Sequence, residues 1–161
     1  VTLVFAVLVA ISAFQTVTLQ ESAMEPTYSV SEKFFVNRAL YKISSPKRGD
    51  VIVFKTSASD SAALHIRRVI GLPGETVQIK DGKIYINGKV YEENGAYQDM
   101  TDGGLANSAI TLESGEYFVL GDNRNNSEDS RFSDIGNISK KYIIGKVWFT
   151  VSPKNKIGFI K

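Results

Sequence analysis

Few side chains in this sequence can do chemistry, and which ones they are narrows the options. Cysteine is absent, which excludes a thiol nucleophile, disulfides and cysteine metal sites. His65 is the only histidine. That argues against zinc sites of the two- or three-histidine kind and leaves a Ser-His-Asp triad a single possible base. Three stretches carry the remaining reactive groups. Ser22-Ala23-Met24-Glu25-Pro26-Thr27 offers two hydroxyls and a carboxylate. His65 and Arg67, two residues apart in Leu64-His65-Ile66-Arg67-Arg68-Val69-Ile70, fall on one face of an extended chain. Gly121-Asp122-Asn123-Arg124-Asn125-Asn126-Ser127-Glu128-Asp129-Ser130-Arg131 is dense in hydrogen-bonding groups of both charges. A serine hydroxyl attacks a carbonyl only when a neutral base takes its proton and donors face the developing oxyanion.

The elements that must position these groups are mainly β. Gln15 to Gln20 alternates polar and apolar residues, as a half-buried strand does. Phe34–Asn37 and Asp50–Phe54 are further β-type runs on either side of the turn-rich Ser44–Gly49, and Leu64–Ile70 ends at Gly71-Leu72-Pro73-Gly74. Val77–Lys80, Lys83–Ile86 and Lys89–Tyr91 form a meander whose Asp81-Gly82 and Asn87-Gly88 turns accept the positive φ that tight hairpins require. Residues 92–108 are polar and glycine-containing, a surface loop or insertion. Strand signals resume at Tyr117–Leu120 and Ile143–Thr150.

The first fourteen residues, Val1 to Phe14, are an uncharged run shorter than the roughly 20 residues that cross a bilayer. With no initiator Met and no flanking Lys or Arg, the run reads as the outer end of an N-terminal membrane anchor. A cleavable signal peptide and a buried helix are the alternatives. The expected organisation is therefore an anchor remnant over 1–14 and one β domain over 15–161. At 161 residues with 43% hydrophobic content the chain can build a real core. A net charge of +2, with no basic block interleaved with aromatics, argues against nucleic-acid binding. Lys140 to Lys161 holds six lysines and no acid, which suits either an anionic lipid surface or a solvated basic face.

Four segments, in order, resemble type I signal peptidases, membrane-bound serine endopeptidases with a Ser/Lys dyad. The hexapeptide at Ser22 is similar to their Ser-Met-x-Pro-Thr box, with Ala23 at the serine. Lys47–Phe54 is similar to the Arg-Gly-Asp strand segment, and Arg67–Glu75 to the Lys-Arg-x-x-Gly-x-Pro-Gly-Asp box. Gly121–Arg131 is similar to the Gly-Asp-Asn-Arg-x-x-Ser-x-Asp-Ser-Arg box, and Ile157-Gly158-Phe159 lies close to the end of the sequence. The resemblance implies antiparallel β-sheets of the signal-peptidase type behind an N-terminal transmembrane anchor. It implies a single-pass protein of the cell membrane, with its domain on the extracytoplasmic face and no metal or other cofactor.

It also assigns roles. Ala23 takes the nucleophile position, where a methyl group cannot attack. Arg67 takes the general-base position, where a guanidinium cannot give up its proton. Glu21 stands in the oxyanion region beside Ala23, where family members carry a small residue or a hydroxyl; a carboxylate aimed inward there opposes the developing charge. Arg67 is expected to pair with Asp129 or Glu21. Ser127 matches the hydroxyl that orients the lysine, and Asp129 with Arg131 looks like a structural ion pair. Leu19, Gln20, Met24, Tyr28, His65 and Ile66 would line the cleft for an extended peptide, although core packing is the alternative for Leu19, Met24 and Ile66. A Ser22/His65 hydrolase would need a local bulge and an acid partner.

The function expected from this pattern is a signal-peptidase-like membrane protein without peptidase activity. It would bind a signal peptide or an exported surface protein, such as a pilin of a Gram-positive surface pilus, touch membrane lipid, and bind no nucleic acid. The alternative is a working signal peptidase inactivated by an engineered serine-to-alanine change at position 23.

Overall fold

The computed structural model describes residues 1–160. It opens with helix α1 (Thr2–Ala13), uncharged throughout and exposed from Thr2 to Ser12. Its 12 residues extend about 18 Å, against about 30 Å of bilayer hydrocarbon. No helix among the described residues is long and apolar enough to cross a membrane. The helix runs directly into strand β1 (Phe14–Thr18).

Two antiparallel sheets follow. The larger is built from β1, β2 (Lys33–Asn37), β3 (Val51–Phe54) and β4 (His65–Gly71), together with later strands of the chain. The smaller is the expected meander of β5 (Thr76–Lys80), β6 (Lys83–Ile86) and β7 (Lys89–Val90), extended by β8 (Ile110–Thr111) on the far side of β5. Asp81, Gly82, Asn87 and Gly88 all hold positive φ, as the two hairpin turns demand. The chain then returns to the larger sheet with β9 (Glu116–Leu120), β10 (Ile138–Ser139), β11 (Ile143–Ser152) and β12 (Gly158–Phe159). Across that sheet the order is β1-β2-β11-β3-β4-β9-β10, with β12 added to β11. A single helical turn, α2 (Leu40–Ile43), links β2 to β3.

Apolar residues alternate between faces, and both faces of the central strands are covered. Val51 and Val53 of β3 pack with Leu19, Met24, Tyr28, Phe34, Val36, Ile66 and Val147 in one cluster, while Ile52 and Phe54 pack on the other side with Val69, Tyr117 and Val119. Phe118 and Leu120 of β9 join Val77, Ile79 and Ile84 of the smaller sheet in a third cluster. Burial on both faces is why β3 reads as an unbroken apolar run rather than an alternating one.

The polar stretch 92–108 is more anchored than a surface loop. Met100 and Ala106 are buried in the third cluster, the Leu105 amide donates to the Arg131 carbonyl at 2.7 Å, and Glu93 forms a fork with Arg124 at 2.5 and 2.6 Å. This stretch braces the 121–131 segment.

Candidate active-site cleft

The hexapeptide follows extended backbone at Glu21 and opens with a 3-10 turn over Ser22–Met24, which buries Ala23 and Met24. The 121–131 segment holds the turn from behind. The Asn123 amide donates to the Ala23 carbonyl at 2.9 Å, and Asn123 Nδ2 donates to the Ser22 carbonyl at 3.2 Å. Gly121 lies so close beneath that a Cβ there would stand 2.1 Å from Ser127 Oγ and 2.5 Å from the Ala23 carbonyl. Only glycine fits this seam.

Strand β4 supplies the opposite wall. Its register with β3 sets Arg67 opposite Ile52 and His65 opposite Phe54, placing both polar side chains on one face. The Arg67 side chain is 2% exposed. Its Nη1 donates to Glu21 Oε2 at 2.6 Å and to the Ile66 carbonyl at 2.7 Å, and its Nε donates to the Glu128 carbonyl at 2.8 Å. His65 Nδ1 lies 3.0 Å from Glu21 Oε1. Burial opposes ionisation of Glu21, but the His65 hydrogen bond and the Arg67 charge outweigh it and hold the carboxyl at about 2. An ionised carboxylate only accepts, so His65 Nδ1 is the donor in this contact.

Between the two open sequence possibilities, Arg67 therefore pairs with Glu21. Asp129 is already committed: it accepts from Arg131 Nε at 2.8 Å and Nη2 at 2.9 Å, from Ser127 Oγ at 2.9 Å and from the Gly121 amide at 3.0 Å. Asp129 and Arg131 are both buried. Ser127 thus spends its proton on Asp129. The Ser22/His65 pairing does not form either, since His65 turns to Glu21 while the Ser22 hydroxyl meets Asn126 Nδ2 at 3.5 Å.

Glu21, Ala23, Arg67 and Ser127 line one open cleft of about 830 Å³. Of the side chains expected to line it for a peptide, Gln20 does so, and His65 sits part-buried on Glu21. Leu19, Met24 and Ile66 are instead buried in the first apolar cluster, their alternative as core, and Tyr28, expected in the cleft, is buried there with them. Asn125, Asn126 and Glu128, inside the 121–131 segment but given no role from sequence, complete the lining with Phe132, Ser133 and Asp134, which sequence reasoning missed. The only sequence signal for residues 132–134 was that they directly follow the 121–131 segment. Behind the cleft, Arg68 grips the buried Asp122 with two bonds at 2.8 and 2.7 Å, which fixes the start of that segment to β4.

The family profile described as "Signal peptidase, peptidase S26" matches residues 1–152. This chain belongs to the signal peptidase family. It is 31% identical to the probable signal peptidase I-2 of Synechocystis, over 99% of this chain and 74% of that protein. It is 34% identical to signal peptidase I T of Bacillus subtilis, over 98% of this chain and 83% of that protein. The crystal structure of a signal peptidase I from Enterococcus faecalis superimposes with a TM-score of 0.52 at 32% identity, covering 65% of this chain and 98% of that one. In this signal peptidase family member, the positions that the resemblance gives to nucleophile and base, Ala23 and Arg67, line one cleft together with Glu21, which pairs with Arg67.

Proposed function

We propose that this chain is a signal-peptidase-like protein that holds exported proteins at the membrane without cutting them. The observation that carries the reading is the Arg67–Glu21 ion pair beside Ala23. At the nucleophile position there is no hydroxyl, and at the base position a guanidinium keeps its proton and is matched to a carboxylate. Glu21 also brings an ionised acceptor to the region where hydrolysis needs donors. Strand β1 stands at the free edge of the larger sheet, so an extended segment can add to it by backbone hydrogen bonds, with the cleft beside it taking side chains. Residues 1–14 are the outer end of a single-pass anchor, and residues 15–161 are the extracytoplasmic domain. The partner is a signal peptide or an exported surface protein, and pilus assembly is the setting that fits an inactive relative.

A signal peptidase disabled only by an engineered serine-to-alanine change is the competing reading. A single change at Ala23 leaves the mated Arg67 and Glu21 unaccounted for. The discriminating experiment is a preprotein cleavage series with the parent, Ala23→Ser, Ala23→Ser/Arg67→Lys, and the same double variant with Glu21→Ser. The first two are expected to be inactive. The double variant is weak at most, because Glu21 holds a proton on the new lysine, and relief of that carboxylate raises the rate. Full activity of Ala23→Ser alone would overturn the reading.

A further inference from the structure

A second cleft, of about 730 Å³, opens where α1 meets the sheet. Gln15, two residues past the end of α1, lines it, and the backbone amide of Arg38 donates to the Ala13 carbonyl at 2.8 Å. Three cations line this cleft, Arg38, Lys55 and Lys141, against one acid, Asp60. None of the four forms an ion pair among the described residues. Lys55 Nζ reaches only the backbone carbonyls of Ser59 and Asp60, each at 3.4 Å, and Lys141 lies over the Tyr142 ring. The rest of the lining includes apolar groups, Leu64 and Ile144 among them. Elsewhere on the molecule Arg48 is mated to Glu75, Arg67 to Glu21, Arg68 to Asp122 and Lys146 to Asp50. Among the described residues, Arg38, Lys55 and Lys141 are three cations without an ion pair, and they converge on one cleft at the foot of an exposed apolar helix.

We infer that the Arg38–Lys55–Lys141 cleft binds the phosphate headgroup of an anionic lipid. The inference rests on seating α1 in the membrane, as proposed above. That seating fixes the height of the bilayer surface at Gln15, the level of the cleft. Phosphate oxygens would meet the three cations, and the glycerol and first acyl carbons would lie along Leu64 and Ile144. Each cation near an anionic surface strengthens binding by about fivefold.

The test is vesicle flotation of the whole chain with phosphatidylcholine alone and with equal parts phosphatidylcholine and phosphatidylglycerol. Arg38→Gln/Lys55→Gln/Lys141→Gln is compared with Lys80→Gln/Lys83→Gln/Lys89→Gln, which changes the net charge equally on β5 to β7. Thermal unfolding checks that both variants stay folded. Because cysteine is absent, Ala58→Cys carries a single environment-sensitive dye at the cleft. The expected results are tighter binding to the anionic vesicles, a loss of about a hundredfold in the cleft variant, a much smaller loss in the control, and a dye response to anionic vesicles only. Equal losses in both variants would overturn the site. Binding to both vesicle types alike would also overturn it while leaving the membrane seating intact, whereas flotation with neither defeats the seating itself. Glycerol phosphate in solution is the third arm: a dye response equal to that on vesicles would reassign the cleft to soluble phosphate esters.

Discussion

Replacing Glu21 with glutamine isolates the ion pair on which the functional reading depends. The change keeps the shape and leaves an acceptor for Arg67 Nη1, but removes the charge opposite a guanidinium whose side chain is 2% exposed. Removing one partner of a fully buried pair costs about 3–5 kcal/mol. The Glu21 side chain is 35% exposed, so water screens part of the interaction and the discounted cost is about 1–2 kcal/mol. For a domain of this size that lowers Tm by about 2–8 °C at neutral pH. Adding Arg67→Met in a double-mutant cycle should recover much of the loss, with a coupling of about 1–2 kcal/mol. The pH dependence gives an independent reading. Held at about 2 instead of its ordinary 4.5, the Glu21 carboxyl stabilises the folded state above pH 4.5, and the contribution disappears as pH falls towards 2. The gap in stability between parent and Glu21→Gln should therefore be widest at neutral pH and close across that window. A difference under about 0.5 kcal/mol at neutral pH, or one that does not narrow in acid, would refute the pairing as the structure places it.

Further outcomes follow from the same geometry. Asp129→Asn strips the counter-ion from the buried Arg131 and should cost about 3–5 kcal/mol in denaturant unfolding, the largest loss of the set. Ser127→Ala removes one of five bonds to Asp129, and a loss of about 1 kcal/mol is expected by the same measurement. Gly121→Ala forces a Cβ onto Ser127 and the Ala23 carbonyl; it should lose about 1–3 kcal/mol, and weaken peptide binding in a titration more than Ser127→Ala does. Preprotein cleavage should stay at background in Ala23→Ser and rise only when both Arg67 and Glu21 are replaced.

The strands were legible wherever local pattern decides them. The meander turns are written in Asp-Gly and Asn-Gly, and β3 and β9 in their apolar runs. The two-residue strands β8, β10 and β12 carry no pattern of their own; their partners define them. At the site, sequence brought Ala23, Arg67 and Glu21 to one place but left the partner of Arg67 open. That choice depends on how Asp129 is used, and Asp129 is taken by Arg131, Ser127 and a backbone amide. The family resemblance put the side chains of Leu19, Met24, Tyr28 and Ile66 in the cleft. Burial in the first cluster assigns them to the core, and the polar 125–134 loop does the lining instead. Fork pairs such as Arg68–Asp122 and Arg124–Glu93 join residues far apart in the chain. Charge count alone does not pick such partners.

The most direct test is to mix the purified chain with a purified preprotein bearing its signal peptide, separate the complex by size, and weigh its components by mass spectrometry. The account predicts that precursor co-elutes with the chain at full length after prolonged incubation. Mature protein and released signal peptide in that mixture, absent without the chain, would contradict it.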